Sequence, residues 1–198
     1  MSDDLVIIGS SGANLASLGF ALNRLGCSAP VSVDPERISA ARRVILPGVG
    51  ASADAMQRLQ NDKLDTLVPR LQQPVLGICL GMQLLFSGSE EDDARCLGII
   101  DTEINRLPDI DDLPVPHMGW NELEQLSDCP LVAGIESGGY AYFVHSYAAP
   151  IGPFTRAQAN YGGYFSAIIQ QGNFYGTQFH PERSSTLGSQ ILANFLTV

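Results

Sequence analysis

Cys79 stands in the segment Gly77-Ile78-Cys79-Leu80-Gly81, which follows an apolar run and precedes a helical pattern. The form G-x-C-x-G is the thiol version of the nucleophile elbow, in which the nucleophile occupies a sharp strand-to-helix turn and the flanking glycines relieve crowding. The N-terminus of the following helix favours a thiolate. The amide N–H of Leu80 is then placed to stabilise an oxyanion beside Cys79. The alternative interpretation is a buried cysteine at a glycine-flanked strand end.

A cysteine nucleophile needs a base, and the chain has three histidines: His117, His145 and His180. His180 precedes Pro181 and follows an aromatic-rich run, and a proline pushes the residue before it away from the helical region. We therefore expect His180 at a strand end, with Glu182 near enough to accept its other imidazole N–H. A His-Pro-Glu tripeptide alone is a weak signal. Together with the elbow it predicts a Cys/His/acid triad.

The first half of the chain alternates short apolar runs with helical patterns. Strands are predicted at 5–8, 31–33, 43–46 and 74–78, and helices at 13–25, 51–71 and 80–86. This alternation predicts an α/β fold, with an open, mixed, mostly parallel sheet and helices on both faces. Active sites in such sheets lie at the carboxyl ends of the strands. Both Cys79 and the turn Pro47-Gly48-Val49-Gly50 fall at such ends.

The second half predicts a different pattern of shorter elements. An acidic loop at 87–93 is followed by strands at 141–144, 165–169 and 174–179, with a hairpin turn at 171–173 and a last helix at 189–196. No repeat, low-complexity tract or linker interrupts the chain. We therefore expect residues 1–198 to form a single domain, which the length also favours.

Composition excludes several classes of function. The formal net charge of −10 disfavours both nucleic acid and an anionic membrane surface as partners. No stretch approaches the roughly 20 apolar residues of a membrane span, and the acidic start is unlike a secretory signal, so a cytoplasmic protein is expected. The four cysteines include no C-x-x-C pair and are expected to be reduced thiols. Scattered histidines predict no metal, and nothing indicates a cofactor.

Three motifs together resemble those of the triad-type, or class I, glutamine amidotransferases. They are Pro47-Gly48-Val49-Gly50, Gly77-Ile78-Cys79-Leu80-Gly81-Met82-Gln83 and His180-Pro181-Glu182. The segments P-H-M-G-W-N (116–121) and Y-F-V-H-S-Y (142–147) narrow the resemblance to the glutaminase subunits of imidazole glycerol phosphate synthase, in histidine biosynthesis. The resemblance extends from the first predicted strand to the last predicted helix.

The resemblance implies a role for each matching residue. Cys79 would attack the carboxamide carbon of glutamine, His180 would transfer protons, and Glu182 would orient His180. The strand containing Gly48 and Val49 would supply an oxyanion donor beside Leu80 after a peptide rotation that its glycines make easy. The residues that would bracket glutamine, several through backbone groups, are Gly50, Gln83, His145, Ser146 and Tyr147.

The resemblance also implies a partner, a (β/α)₈-barrel cyclase subunit that receives ammonia through the barrel core. The matching interface positions are His117, Met118, Trp120, Tyr142 and Arg183. Trp120 could instead be a core tryptophan, His117 a loop histidine, and His145 a strand residue whose backbone alone matters. Arg183 stands where the family commonly has lysine, and its planar fork makes different contacts. The loop 9–14 lacks an Asp-Tyr pair common in the family.

Two other functions stay open at this point. One is a paralogous amidotransferase subunit that supplies ammonia to a different synthase, for example in surface-sugar biosynthesis. The other is a catalytically silent binding subunit, against which the presence of Cys79, His180 and Glu182 speaks.

Overall fold

The computed structural model describes residues 3–9 and 15–198. Its helices are α1 (Leu15–Arg24), α2 (Pro35–Ala40), α3 (Ser52–Asn61), α4 (Leu80–Gln83) and α5 (Ser185–Phe195). Its strands are β1 (Val6–Ile8), β2 (Val31–Ser32), β3 (Val44–Gly48), β4 (Val75–Cys79), β5 (Phe86–Ser89), β6 (Ala94–Arg95), β7 (Ile100–Arg106), β8 (His117–Glu122), β9 (Tyr140–His145), β10 (Tyr147–Ala148), β11 (Thr155–Asn160), β12 (Tyr164–Gln171) and β13 (Phe174–Thr177).

The central sheet has seven strands in the order β11-β12-β13-β4-β3-β1-β2. The strands from β13 to β2 run parallel, whereas β12 and β11 are antiparallel to their neighbours. The hairpin between β12 and β13 turns at Gly172, whose φ of 58° suits a glycine. The predicted open, mixed and mostly parallel sheet is confirmed.

Both faces of this sheet are buried. Ile7 and Ile45 belong to one apolar cluster, and Val6 and Val44 to the other, because side chains alternate along each strand. Helices α1 and α5 cover the first cluster, and α2 and α3 cover the second. The side chains they contribute include Leu18, Leu22, Ile38, Met56, Leu59, Ile191 and Phe195.

Two smaller sheets flank the central one. The first is four-stranded, in the order β10-β7-β5-β6, and the second is the antiparallel pair β8-β9. We call this pair the ribbon. It pairs His117 with His145 at one end and Glu122 with Tyr140 at the other. The segment after β8 is linked to β11 by an isolated bridge between Glu124 and Gln158 and by the Ser127 amide, which donates to the carbonyl oxygen of Arg156.

Several predicted elements differ from the structure. The helix predicted at 80–86 ends at Gln83, and Phe86 starts strand β5, because a short buried apolar run is compatible with either element. The helix predicted at 51–71 ends at Asn61, before Lys63 adopts a φ of 59°. The acidic run at 87–93 is partly strand. Helix α2, capped by the Asp34 carboxylate, was not predicted.

Candidate active site

Three strand ends converge at one edge of the central sheet. Cys79 is the last residue of β4, and Gly48, the last residue of β3, is its register partner. On the other side of β4, Thr177 of β13 pairs with Ile78, so the chain reaches His180 three residues beyond the same edge. The fold thus brings together Gly48, Cys79 and His180, which are 31 to 132 positions apart in the sequence.

The elbow at Cys79 has the backbone geometry that its sequence predicts. Cys79 has φ 52° and ψ −113°, a conformation that side-chain-bearing residues rarely adopt. A Cβ on Gly77 would lie 2.6 Å from Met82 Cα, and a Cβ on Gly81 would overlap the carbonyl oxygen of Leu46. Glycine is therefore required on both sides of Cys79 by close backbone packing. Leu80 opens helix α4, and the N–H groups of a first turn have no acceptor within their helix.

The two glycines of the neighbouring turn have different roles. Gly48 is fully packed, since a Cβ there would lie 2.8 Å from the amide nitrogen of Gly81. Gly50 has a φ of 92° and open space where a Cβ would be. Val49 lies between them and is 37% exposed. Freedom for a peptide rotation therefore belongs to the Gly50 side, while Gly48 is needed for contact with the elbow.

His180 hydrogen-bonds Glu182 and lines the same cavity as Cys79. Its Nδ1 lies 2.9 Å from Glu182 Oε1, which leaves Nε2 for Cys79. Burial opposes the charged imidazolium, but the neighbouring Cys79 and Glu182 outweigh burial and raise the pKa of His180 to about 10. The other carboxylate oxygen, Oε2 of Glu182, is buried and has no hydrogen-bond partner among residues 3–9 and 15–198. The carboxylate is thus committed to His180.

Strand β9 fixes the backbone of His180. The amide of His180 donates to the carbonyl oxygen of Tyr142 at 3.0 Å. The hydroxyl of Ser184 donates to the carbonyl oxygen of His180 at 2.7 Å and accepts from the amide of Tyr142 at 2.9 Å. The base is therefore attached to the ribbon on two sides.

A cavity of about 270 Å³ opens beside Cys79. Every residue that the sequence predicts around glutamine lines it: Gly50, Gln83, His145, Ser146 and Tyr147. Glu91 also lines it and was not predicted as a site residue, because it lies in the run 87–93 that was interpreted only as an acidic loop. The amide and hydroxyl of Ser52 donate to Glu91 Oε2 at 2.8 and 3.0 Å, which holds the carboxylate at the cavity.

A second cavity, of about 200 Å³, lies on the other side of His180. It shares Val49, Val144 and His180 with the first cavity. The rest of its lining is mostly apolar and includes Leu18, Pro47 and Ile78, with Glu182 and the exposed Arg183 as its charged members. The reacting groups thus stand between a polar cavity and an apolar one.

The ribbon exposes one face and buries the other. Met118, Trp120, Tyr140 and Tyr142 point to the outer side, which we call the aromatic face, and Trp120 is 53% exposed. The rings of Trp120 and Tyr142 lie 5.9 Å apart. Trp120 is therefore not a core tryptophan. The side chain of His117 is directed to the interior, because alternate residues of a strand face opposite sides. His117 was predicted at the partner interface, and this prediction is wrong because its side chain is only 3% exposed.

The two interior histidines of the ribbon bond to one another. His117 Nδ1 lies 3.0 Å from His145 Nε2. Burial lowers the pKa of His145 to about 3, assisted by the neighbouring His117, and burial alone lowers the pKa of His117 to about 4. Both rings are therefore neutral at physiological pH.

Two further findings concern the described residues only. No group of three His, Cys, Asp or Glu side chains within 3–9 and 15–198 is arranged to hold a metal ion. Over the same ranges, no helix has both the length and the apolar character of a membrane span. Of the loop 9–14, which differs from the family pattern, residues 10–14 lie outside the described part of the chain.

The chain is similar to a known protein family and to several known proteins. The model of the family Glutamine amidotransferase class-I matches residues 10–198. The imidazole glycerol phosphate synthase subunit HisH of Vibrio cholerae serotype O1 is 49% identical over 202 residues, covering 99% of each chain. The HisH of Xylella fastidiosa is 49% identical over 193 residues, covering 98% of this chain and 96% of the relative.

Solved structures give the same fold. A crystal structure of a glutamine amidotransferase superposes with a TM-score of 0.75 at 19% identity, covering 98% of this chain and 97% of the other. PurLQS from Thermotoga maritima superposes with a TM-score of 0.70 at 16% identity, covering 100% and 99%. The chain belongs to the class-I glutamine amidotransferases and, within them, to the family of HisH subunits of imidazole glycerol phosphate synthase, which confirms the resemblance found in the sequence.

Proposed function

We propose that this protein is the glutaminase subunit of an imidazole glycerol phosphate synthase and that Cys79, His180 and Glu182 are its catalytic triad. The observation that carries the triad is the placement of Cys79 and His180 in the lining of one cavity at the carboxyl edge of the sheet, with His180 Nδ1 hydrogen-bonded to Glu182. Family membership over residues 10–198 supports the activity and supports a single amidotransferase domain.

Glutamine would occupy the polar cavity beside Cys79. Glu91 is the carboxylate in this cavity, and it suits the α-ammonium group of the substrate. The side chain of Gln83 and the backbone of residues 145–147 lie near the elbow and suit the polar remainder of the amino acid. The substrate's carboxamide carbon would then lie against Cys79 Sγ.

Acyl transfer proceeds in two steps. The thiolate of Cys79 attacks the carboxamide carbon, and the oxyanion that forms is stabilised by the Leu80 amide and by a peptide of the Gly48-Val49-Gly50 turn. The imidazolium of His180 gives its proton to the departing nitrogen, which leaves as ammonia, and a thioester remains on Cys79. His180 then takes a proton from water, whose oxygen attacks the thioester, and glutamate is released with the thiolate restored.

Ammonia would leave through the apolar cavity on the far side of His180. The aromatic face borders this exit, because Val144 lines both cavities and lies opposite Met118 in the ribbon. A (β/α)₈-barrel cyclase subunit docked on the aromatic face, with Arg183 at the rim, would receive the ammonia before it reaches solvent. Free thiols at all four cysteines agree with the cytoplasm as the compartment.

The test is glutamine hydrolysis by Cys79→Ala in complex with the organism's cyclase subunit and its nucleotide ligand. We expect no glutamate above background, whereas Cys27→Ala, the same replacement at a partly buried thiol that lines neither cavity, should keep full activity. A mass increase on Cys79 after treatment with an electrophilic glutamine analogue supports the thioester step. Undiminished turnover by Cys79→Ala would refute the triad, and activation by a different synthase instead of the cyclase would refute the pathway.

A further inference from the structure

A buried amide contacts the nucleophile and has no part in the mechanism above. Gln178 follows β13 by one residue and is fully buried. Its Nε2 lies 3.9 Å from Cys79 Sγ, because the parallel pairing of β13 with β4 places the two residues side by side. A polar side chain in the interior is normally retained for the bonds that it makes.

Its neighbours determine which end of the Gln178 amide faces the sulfur. Gln83 Nε2 donates to the carbonyl oxygen of Tyr147 at 2.8 Å, and a carbonyl can only accept, so the NH₂ group of Gln83 is located there. The same nitrogen lies 3.0 Å from Gln178 Oε1 and donates its second proton to it. Turning the Gln178 amide over would bring two NH₂ groups together. Its NH₂ group therefore faces Cys79.

The network continues in one direction to the ribbon. The carbonyl oxygen of Tyr147 also accepts from His145 Nδ1 at 2.9 Å, so His145 Nε2 carries no proton and accepts from His117 Nδ1. His117 Nε2 in turn accepts from the side-chain amide of Asn121 at 3.3 Å. The carbonyl oxygen of Tyr147 fixes the orientation of Gln83 and the tautomer of His145, so Gln178 has no alternative orientation within this network.

The sulfur thus lies between two groups with opposite preferences. The carbonyl oxygen of Val144, 3.8 Å from Cys79 Sγ, can only accept a hydrogen bond, which favours the protonated thiol. The NH₂ group of Gln178 can only donate at this position, and a donor favours the anionic sulfur. The other titratable side chains that line the cavity with Cys79 are Glu91, His145, Tyr147 and His180.

We infer that Gln178 is a positioning residue for the nucleophile: its amide donates a hydrogen bond to Cys79 Sγ, which stabilises the thiolate and directs the sulfur toward the substrate cavity. The inference rests on the proposed function, since it matters for turnover only if Cys79 attacks glutamine. The contact itself is measurable without substrate.

Two replacements separate the donor from the space that it fills. Gln178→Met has nearly the same shape but no donor, and Gln178→Glu keeps an oxygen for Gln83 while it replaces the donor with an acceptor. The readout is the pH dependence of Cys79 alkylation by iodoacetamide, followed at that residue by peptide mass spectrometry. Gln57→Met, an exposed position on α3, is the matched control.

We expect the alkylation midpoint to rise by about one pH unit in Gln178→Met, equivalent to about tenfold slower alkylation below the midpoint, and by at least as much in Gln178→Glu. The control should match the parent protein. Unchanged midpoints in folded Gln178→Met and Gln178→Glu would overturn the inference, because a residue that only fills space would not move this titration.

A measurement on the unaltered chain covers the case in which a variant does not fold. In protein labelled with ¹⁵N-glutamine, the side-chain amide signal of Gln178 should move as Cys79 ionises and should stay fixed in Cys79→Ser. A chemical shift of this amide that does not change when Cys79 ionises would overturn the inference. If the titration shifts as expected while Cys79→Ala still hydrolyses glutamine, the hydrogen bond stands and the proposed triad fails.

Discussion

Gly48 and Cys79 are register partners at the ends of two adjacent parallel strands. The turn proposed to supply an oxyanion donor and the elbow that presents the thiol are therefore fixed to each other by the β3–β4 ladder. Gly48 also packs against the backbone of Gly81, so the two segments touch beyond the ladder. A movement of either segment would therefore displace the other.

The elbow should not tolerate a methyl group at Gly81. Because the added Cβ of Gly81→Ala would overlap a backbone oxygen of β3, we expect the free energy of unfolding to fall by about 1–3 kcal/mol, with loss of glutaminase activity. Gly19→Ala is the control, since a Cβ there meets nothing within 4 Å in helix α1, and it should raise stability by about 0.5–1 kcal/mol. Urea unfolding measures both; equal stability of the two variants would contradict the packing argument.

Removing the charge of Glu182 should change how the free energy of unfolding falls as the pH rises. Because the folded pKa of His180 is about 10 and its unfolded value is about 6.5, its contribution to stability is complete below pH 6.5 and is lost as the pH rises through about 10. In Glu182→Gln we expect the pKa of His180 to fall by about 1–3. The stability that His180 contributes should therefore be lost completely at a lower pH than in the parent protein. Urea unfolding between pH 6 and 10 checks this.

The exposed Glu136→Gln makes the same change in net charge and serves as the control for Glu182→Gln. Its stability should follow the parent protein across the same pH range. If both variants behave alike, general charge rather than the His180 contact determines the alkaline profile.

The interior histidine pair should make the protein sensitive to acid. His117 and His145 have folded pKa values of about 4 and about 3, below the unfolded value of about 6.5, so the unfolded chain binds protons first as the pH falls. Each histidine then removes about 1.4 kcal/mol of stability per pH unit between pH 6.5 and its folded pKa. In His145→Gln the chain takes up one proton fewer on unfolding, so the slope of the unfolding free energy against pH should decrease by about 1.4 kcal/mol per pH unit. Urea unfolding from pH 7 to 4 measures this slope. An unchanged slope would show that His145 is protonated in the native protein.

The aromatic face should matter to the partner and little to the chain itself. Trp120 is 53% exposed, so Trp120→Ala should change the free energy of unfolding by no more than about 0.5 kcal/mol. Binding of the cyclase subunit should weaken by at least about 2 kcal/mol, as for a buried aromatic anchor of an interface. Calorimetric titration measures the affinity, and Phe20→Ala, an exposed aromatic on α1, is the control. Equal loss in both variants would place the interface elsewhere.

The local geometry of the nucleophile could be predicted from the sequence because its causes are local. The spacing of Gly77, Cys79 and Gly81 indicates the elbow, and the fold class follows from alternating strands and helices. Two side chains of the site, Gln178 and Glu91, could not be predicted in this way. Gln178 contacts Cys79 from 99 positions away through strand pairing, and Glu91 reaches the cavity only because Ser52 and β5 position it.

The segment P-H-M-G-W-N could likewise be predicted only in part. The order of residues in P-H-M-G-W-N shows a family segment, but the burial of His117 and the exposure of Trp120 depend on which side of the ribbon meets the core. That choice is made by Phe143, Tyr161 and Phe165, which pack around His117 and come from other parts of the chain.

The bond between His117 and His145 has a consequence for how the molecule folds. The two residues face each other in only one alignment of β8 with β9, and a slip by one position would turn every side chain of the moved strand to the opposite side. A slipped ribbon would bury Met118 or Trp120 and leave a neutral imidazole in the interior without its partner. The histidine pair therefore favours the native alignment of β8 with β9 over a slipped one.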